Sequence, residues 1–272
     1  MDDEPDYVSG LTKAAETLTC EHGENIEVWH LEVPFEEAIL TDWARKFRQN
    51  YCRDNEIDEL RRGTGFTRSQ YLLELCFPSN SISPGPGIRS GDFAELLVSD
   101  WVQYKFGFWV SRLKYANKSS PNESAKGVDV MGFRESGIGA PKSTDQMLMI
   151  EVKAGLSGNA YRDQLQKAID GSSNDMIRAG YTLNSMKQLH RNRGDADAMK
   201  RIERYQSIVD NPFSIIYGAV AVLSNESFDA DAIACSTTDS HSDKNKLRLF
   251  VIRGEDLMTL VHSLYQKAAD EA

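Results

Sequence analysis

Residues 213 to 223 form an eleven-residue apolar run, interrupted only by Ser214, Tyr217 and Gly218. A helix needs roughly 20 apolar residues to cross a bilayer, so this run belongs inside a protein core, where its Ile, Ala and Val content reads as a buried strand. It is the longest apolar run in the chain, and no membrane span or membrane partner is expected. A chain of 272 residues with 40% hydrophobic and 26% charged residues has enough apolar material for one large core or two modest ones. The start, Met1-Asp2-Asp3-Glu4, has no basic segment leading into an apolar stretch and does not read as a secretory signal. Cys20, Cys52, Cys76 and Cys235 lie far apart with no CxxC pair, which argues against a structural zinc site. Free thiols without an export signal predict a cytoplasmic protein.

Other segments show clear periodicity. Phe35, Ile39, Leu40, Trp43, Phe47 and Tyr51 sit at helical spacing after Pro34, which predicts a helix over 35–52 with Trp43 and Phe47 in the core. The Ser/Pro/Gly run at 79–87 reads as a linker, because its prolines and glycines oppose regular structure. It predicts a boundary near residue 88, between a mixed α/β extension at 1–88 and a main domain at 89–272. After it the pattern predicts a helix over about 92–106, strands near 108–115, 128–133 and 147–154, helices over 160–179 and 182–210, the buried strand, a strand at 247–253 and a terminal helix from about 255. The order after the linker is α-β-β-β.

Chemistry is concentrated in two of these strands. In Met149-Ile150-Glu151-Val152-Lys153 the two charges are two residues apart, so a strand places both on one face. Gly127-Val128-Asp129-Val130-Met131-Gly132 carries one carboxylate in an apolar setting. A lone buried charge is costly, so each position invites a partner or a metal. Either segment alone is a weak signal, since charged pairs on strands usually form surface ion pairs. Together, Asp129, Glu151 and Lys153 supply two oxygen ligands for a hard divalent cation with an ammonium beside them, the set that phosphodiester hydrolysis requires. Glu95, in Gly91-Asp92-Phe93-Ala94-Glu95, is a further acid with two readings: a site residue, or the last member of an Asp-x-x-Glu capping box begun by Asp92.

The order of a helix glutamate, a strand aspartate and E-x-K on the following strand resembles the PD-(D/E)xK nuclease superfamily. More narrowly, GDFAELLVSDW, NESAKGVDVMGF and MIEVKA are similar to the HamA family, nuclease subunits of Hachiman antiphage defence in bacteria. The likeness is densest over about 85–155, with weaker echoes in LRRGTGFTRSQYLLELCFPS. It implies an α/β (α+β) fold with a restriction-endonuclease-like core, αβββαβ, in which helices flank a central mixed sheet, here with an N-terminal extension that contacts a partner. It further implies a DNase dependent on Mg²⁺, or alternatively Mn²⁺, that acts with a superfamily 2 helicase, HamB. By position, Asp129 and Glu151 become metal ligands, Lys153 the catalytic lysine, and Glu95 an accessory acid that also ligates metal. Val128 stands where the superfamily name has proline, and Ala168 stands where some helicase-linked members, with a Q-x-x-x-Y helix, have tyrosine after the position of Gln164. The chain has no GxxxxGK[ST] loop, so ATP chemistry falls to the partner.

Net charge runs against direct DNA affinity, because phosphate contacts supply most non-specific binding and this chain carries a formal charge of -10. Basic residues do cluster: Arg45, Lys46, Arg48 and Arg53; Arg61, Arg62 and Arg68; Lys187, Arg191, Arg193, Lys200, Arg201 and Arg204. Each cluster reads first as a solvated helix face. A DNA-gripping helicase removes the difficulty. Two other functions fit the same residues: a noncatalytic nuclease-fold adaptor that binds a helicase or nucleic acid, and an RNase or tRNase.

Overall fold

The apolar runs of the sequence pair side by side. The computed structural model describes residues 3–32, 36–137, 140–158 and 162–272. These form one seven-stranded sheet from β1 (Leu11–Thr19), β2 (Asn25–Leu31), β3 (Trp109–Val110), β4 (Val130–Arg134), β5 (Gln146–Gly155), β6 (Ser214–Ser224) and β7 (Leu247–Gly254), in the order β1-β2-β7-β6-β5-β4-β3. The inner strands β2, β7, β6 and β5 run parallel, while β1, β4 and β3 join antiparallel at the two sides. The fold is thus a mixed sheet flanked by helices, the α/β class expected. The eleven-residue run is β6, buried between β5 and β7, as its lack of polar positions requires.

Alternation along β5 divides the core. Leu148, Ile150 and Val152 point to one face, where they meet α1 (Glu37–Gln49), α2 (Gly85–Phe106) and, further along the sheet, α6 (Leu257–Asp270). Met147 and Met149 point to the other, covered by α3 (Gln164–Ser172), α4 (Asp175–Asn192) and α5 (Ala196–Glu203). Trp43 and Phe47 are core residues of the first face, as the helical spacing predicted. Trp101 of α2 joins that face to the sheet, edge-on to Trp29 of β2 and Phe250 of β7 with ring centroids 5.4 and 4.9 Å away. Residues before 88 therefore share both the sheet and its core with residues after it.

Several boundaries depart from the sequence reading, for physical reasons. The helix expected from about Asp92 begins at Gly85, inside the proposed linker, because Pro86 falls in the first turn, where no intrahelical N–H is needed. The strand expected over 108–115 is only β3, and the chain then leaves the sheet for a 3₁₀ turn at Tyr115–Asn117. The helices expected over 160–179 and 182–210 break instead at Ser173 and Asn174, and again between α4 and α5. Residues 160 and 161 lie outside the described residues, as does Pro34. Among the described residues no helix is long and apolar enough to cross a membrane.

Candidate active site

Asp129 immediately precedes β4 and shares the side-chain parity of Met131 and Phe133, so it lies on the sheet face covered by α3 and α4. Glu151 and Lys153 continue the parity of Met147 and Met149 onto that same face. The two strands are stitched here by the Asp129 side chain, whose Oδ2 accepts the Val152 N–H at 2.9 Å. Gly127, at φ +109°, makes the turn that delivers Asp129, and a Cβ there would collide with the Thr182 hydroxyl of α4. Thr182 Oγ1 in turn accepts the Val128 N–H at 3.0 Å, fixing the start of β4 against α4.

Glu95 reaches the same neighbourhood from α2. Its Oε2 accepts hydrogen bonds from the Lys114 ammonium and, at 2.8 Å, from the Tyr115 hydroxyl. Lys114 Nζ also donates to the Asp129 carbonyl at 2.8 Å, so one ammonium ties the helix acid to the strand acid. Burial alone would lower the Lys114 pKa, but Glu95 and Asp129 outweigh it and raise it. The capping-box reading of Glu95 is excluded, because Asp92 is mid-helix and its carboxylate is held instead by Lys118 and the Tyr51 hydroxyl. Departure of the chain from the sheet after β3 is what brings Lys114 and Tyr115 to Glu95.

Glu151 is only 4% exposed and is neutralised from two sides. Lys153 donates to Oε1, and Arg178 Nη1 of α4 donates to Oε2 at 2.8 Å. Gly171 near the end of α3 leaves room for this carboxylate, since a Cβ there would lie 2.7 Å from the Glu151 carboxyl carbon. Gly171→Ala should therefore lower thermal stability, because the roughly 1 kcal/mol that alanine gains in a helix is outweighed by pushing a buried carboxylate away from its two ion pairs. It should also displace the Glu151 carboxylate, seen as a changed melting temperature in calorimetry. A wild-type melting temperature in that variant would show that Gly171 is not what makes room for Glu151.

Asp175, the first residue of α4, completes the cluster. Burial, then the charges of Glu95 and Glu151, raise the Asp129 carboxyl from its ordinary value to about 7. Burial, then Glu151 and Asp129, raise Asp175 to about 8. Above the ordinary carboxylate range near 4, the folded chain thus retains protons that the unfolded chain has released. Stability must therefore fall as pH rises toward these values. Metal-free protein should melt about a few °C lower at pH 8 than at pH 6, with a smaller difference in Asp175→Asn, as read by calorimetry. An identical pH slope in that variant would remove Asp175 from this account.

This crowding of acids is what a cation relieves, and the donors are hard oxygens of the kind Mg²⁺ prefers. Among the described residues no three His, Cys, Asp or Glu side chains converge into a ready-made metal cage. Mg²⁺ does not need one, because it keeps several waters and is held by one or two carboxylates plus substrate phosphate. Asp129 and Glu151 supply carboxylate oxygens of that kind, those of Glu151 being held by Lys153 and Arg178. Beside Asp129 opens a cavity of about 220 Å³ lined by Lys114, Lys118, Glu123, Lys126 and Ser185, among others, so the loop residues Glu123 and Lys126 border the site.

The structure brings Asp129, Glu151 and Lys153 onto one face, with Glu95 joined through Lys114. Sequence reasoning missed Lys114, Tyr115, Asp175 and Arg178. Asp175 and Arg178 sit one turn apart in a stretch that the sequence marks only as helical, and only the topology turns them toward Glu151. The basic clusters prove mostly self-paired: Arg48 with Asp54, Arg61 and Arg68 with Asp58, Lys187 with Glu203, Arg193 with Glu56, Arg201 with Glu135 and Arg204 with Asp145.

A family model described as HamA matches residues 8–268 of the chain. Among curated proteins no match is found.

Proposed function

This chain belongs to the HamA family, a family of antiphage defence, and from that premise we propose that it is the metal-dependent DNase of a bacterial defence complex, switched on by the superfamily 2 helicase HamB. The observation that carries the reading is the meeting of Asp129, Glu151 and Lys153 on one sheet face, with Glu95 tied to Asp129 through Lys114. This is the arrangement expected of a PD-(D/E)xK centre.

Asp129 and Glu151 would hold the divalent cation, whose chemistry is to neutralise charge on the scissile phosphate and acidify a water. Lys153, on the same strand face, stabilises negative charge that develops on the phosphate or orients the attacking water. Glu95 acts through Lys114, holding that ammonium beside the Asp129 main chain. Tyr115 keeps the Glu95 carboxylate from swinging away.

The acidic surface and the self-paired basic clusters favour a partner that grips DNA while this subunit cuts. Residues 1–88 supply the helicase contact in this reading. They carry Leu60, Leu75 and Ile82, which are 53%, 48% and 67% exposed, in the segment leading to α2.

One observation favours a second reading. Both Glu151 oxygens are already engaged by cations, as in a noncatalytic adaptor that retains the fold. Side-by-side digestion of DNA and RNA by the chain together with its helicase, in Mg²⁺ and in chelator, separates the possibilities. DNA should be degraded only with Mg²⁺. Preferential loss of RNA would make the chain an RNase or tRNase, and inertness toward both would make it an adaptor.

A further inference from the structure

Asp175 is fully buried at 0% exposure, and neither of its carboxyl oxygens has a hydrogen-bond partner. A buried polar group without a partner is uncommon and calls for a cause. Its place at the start of α4 lets it interact with the helix dipole, a modest effect beside the cost of burying an unpaired acid. Packing gives no better reason, since the small chain at position 171 makes space in this corner for Glu151 rather than for Asp175.

The geometry between the two acids is more informative. Arg178, one turn along α4, places a single nitrogen, Nη1, 2.8 Å from Glu151 Oε2 and 3.6 Å from Asp175 Oδ1. One positive centre thus stands between two carboxylates, satisfying the first and stopping short of the second. Its side chain is 37% exposed, so the guanidinium has a route to solvent that the two acids lack.

Resting on the metal-dependent reading above, we propose that Glu151 and Asp175 together form a divalent-cation site in which Arg178 is the internal counter-ion that a metal displaces. The donors are oxygens only, which selects Mg²⁺ or Mn²⁺ over zinc. Released from Glu151, the Arg178 guanidinium is free to pair with a phosphate of the substrate strand, for which its planar fork is suited. Metal binding and substrate capture are then linked through one side chain. Asp175 is a ligand with no counterpart among the acids that the sequence pattern singled out.

Isothermal calorimetry with MgCl₂ as the probe tests this on the full chain, using wild type, Asp175→Asn, Arg178→Gln and Asp129→Asn. Asp175→Asn should weaken Mg²⁺ binding by at least about tenfold while melting no lower than wild type in metal-free buffer, because it replaces a buried carboxyl that makes no hydrogen bond. Arg178→Gln should tighten Mg²⁺ binding, because the competing cation is gone. Wild-type affinity in Asp175→Asn, with binding still lost in Asp129→Asn, overturns this site and leaves the metal-dependent reading standing. Absence of Mg²⁺ binding by the wild type overturns both. Should Asp175→Asn fail to fold, Arg178→Gln decides alone: tighter binding supports the site, and equal or weaker binding overturns it.

Discussion

Glu151→Gln should lower DNA cleavage by the helicase-activated complex by about 10²–10³-fold or more, the cost of removing one preorganised charge from such a centre. Glutamine keeps the shape and most of the packing of glutamate, so the loss reports charge rather than collapse. Two cations are left without their acid in that variant: Lys153 and Arg178 both donate to Glu151. Lys153→Met should give a similar loss for the complementary reason, leaving the acids without the ammonium proposed to stabilise charge on the phosphate. Circular dichroism and melting curves would accompany the rate measurements. Rates within threefold of wild type in either variant, with the fold intact, would take that residue out of the catalytic set.

The largest expected effect on stability lies elsewhere, at Trp101. This side chain is 1% exposed and packs edge-on against Trp29, Phe106 and Phe250. It joins β2, α2 and β7, and so links residues before and after the Pro/Gly segment. Truncating a buried tryptophan to alanine costs about 3–5 kcal/mol through lost burial and the cavity left behind. For a chain of this size that corresponds to a fall of about 10 °C in melting temperature. Its indole N–H has no acceptor, so Trp101→Phe, which keeps a ring and removes the orphan donor, should cost clearly less than Trp101→Ala. Calorimetry showing equal melting temperatures for the two variants would mean that the aromatic cluster does not bind the halves together. Because α2 also carries Glu95, the alanine variant should lose activity near its lowered melting temperature and recover it on cooling.

The parts of the fold legible in the sequence are those where apolar period is unbroken. β5 and β6 fall within a residue or two of their apolar runs, and the two-residue spacing of Glu151 and Lys153 correctly places them on one face. β1 escaped notice because Leu11–Thr19 is mostly polar and exposed, and its pairing with β2 shifts register between Lys13 and Thr17, so no simple alternation is written into it. Residues 79–84 are irregular, as their composition suggests, but composition misled at 85–87, where proline and glycine read as linker although a first helical turn tolerates both.

The site was half legible for a similar reason. Strand geometry constrains residues within one strand, and that found Glu151 and Lys153. It says nothing of which helix crosses above them. Asp175 and Arg178 depend on the break at Ser173 and Asn174, which turns α4 so that its first turn meets β5. Lys114 and Tyr115 depend on the chain leaving the sheet after β3. Glu95 was equally compatible with a cap and with a site until the true start of α2 was known. The charge puzzle has the same character: the basic clusters are real in sequence, and most of their members pair with acids, several of them, such as Lys187, Arg193, Arg201 and Arg204, with acids brought close only by folding.

In the proposed function, the acids on this sheet face serve metal-dependent cleavage of DNA. Its most direct test is the rate of DNA cleavage by the chain and its helicase as Mg²⁺ is titrated from chelator-treated buffer, with Asp129→Asn measured alongside. Cleavage that rises from nothing and saturates with Mg²⁺ in wild type, and stays absent in Asp129→Asn, is the expected result. Cleavage that persists in chelator, or survives unchanged in Asp129→Asn, would contradict it.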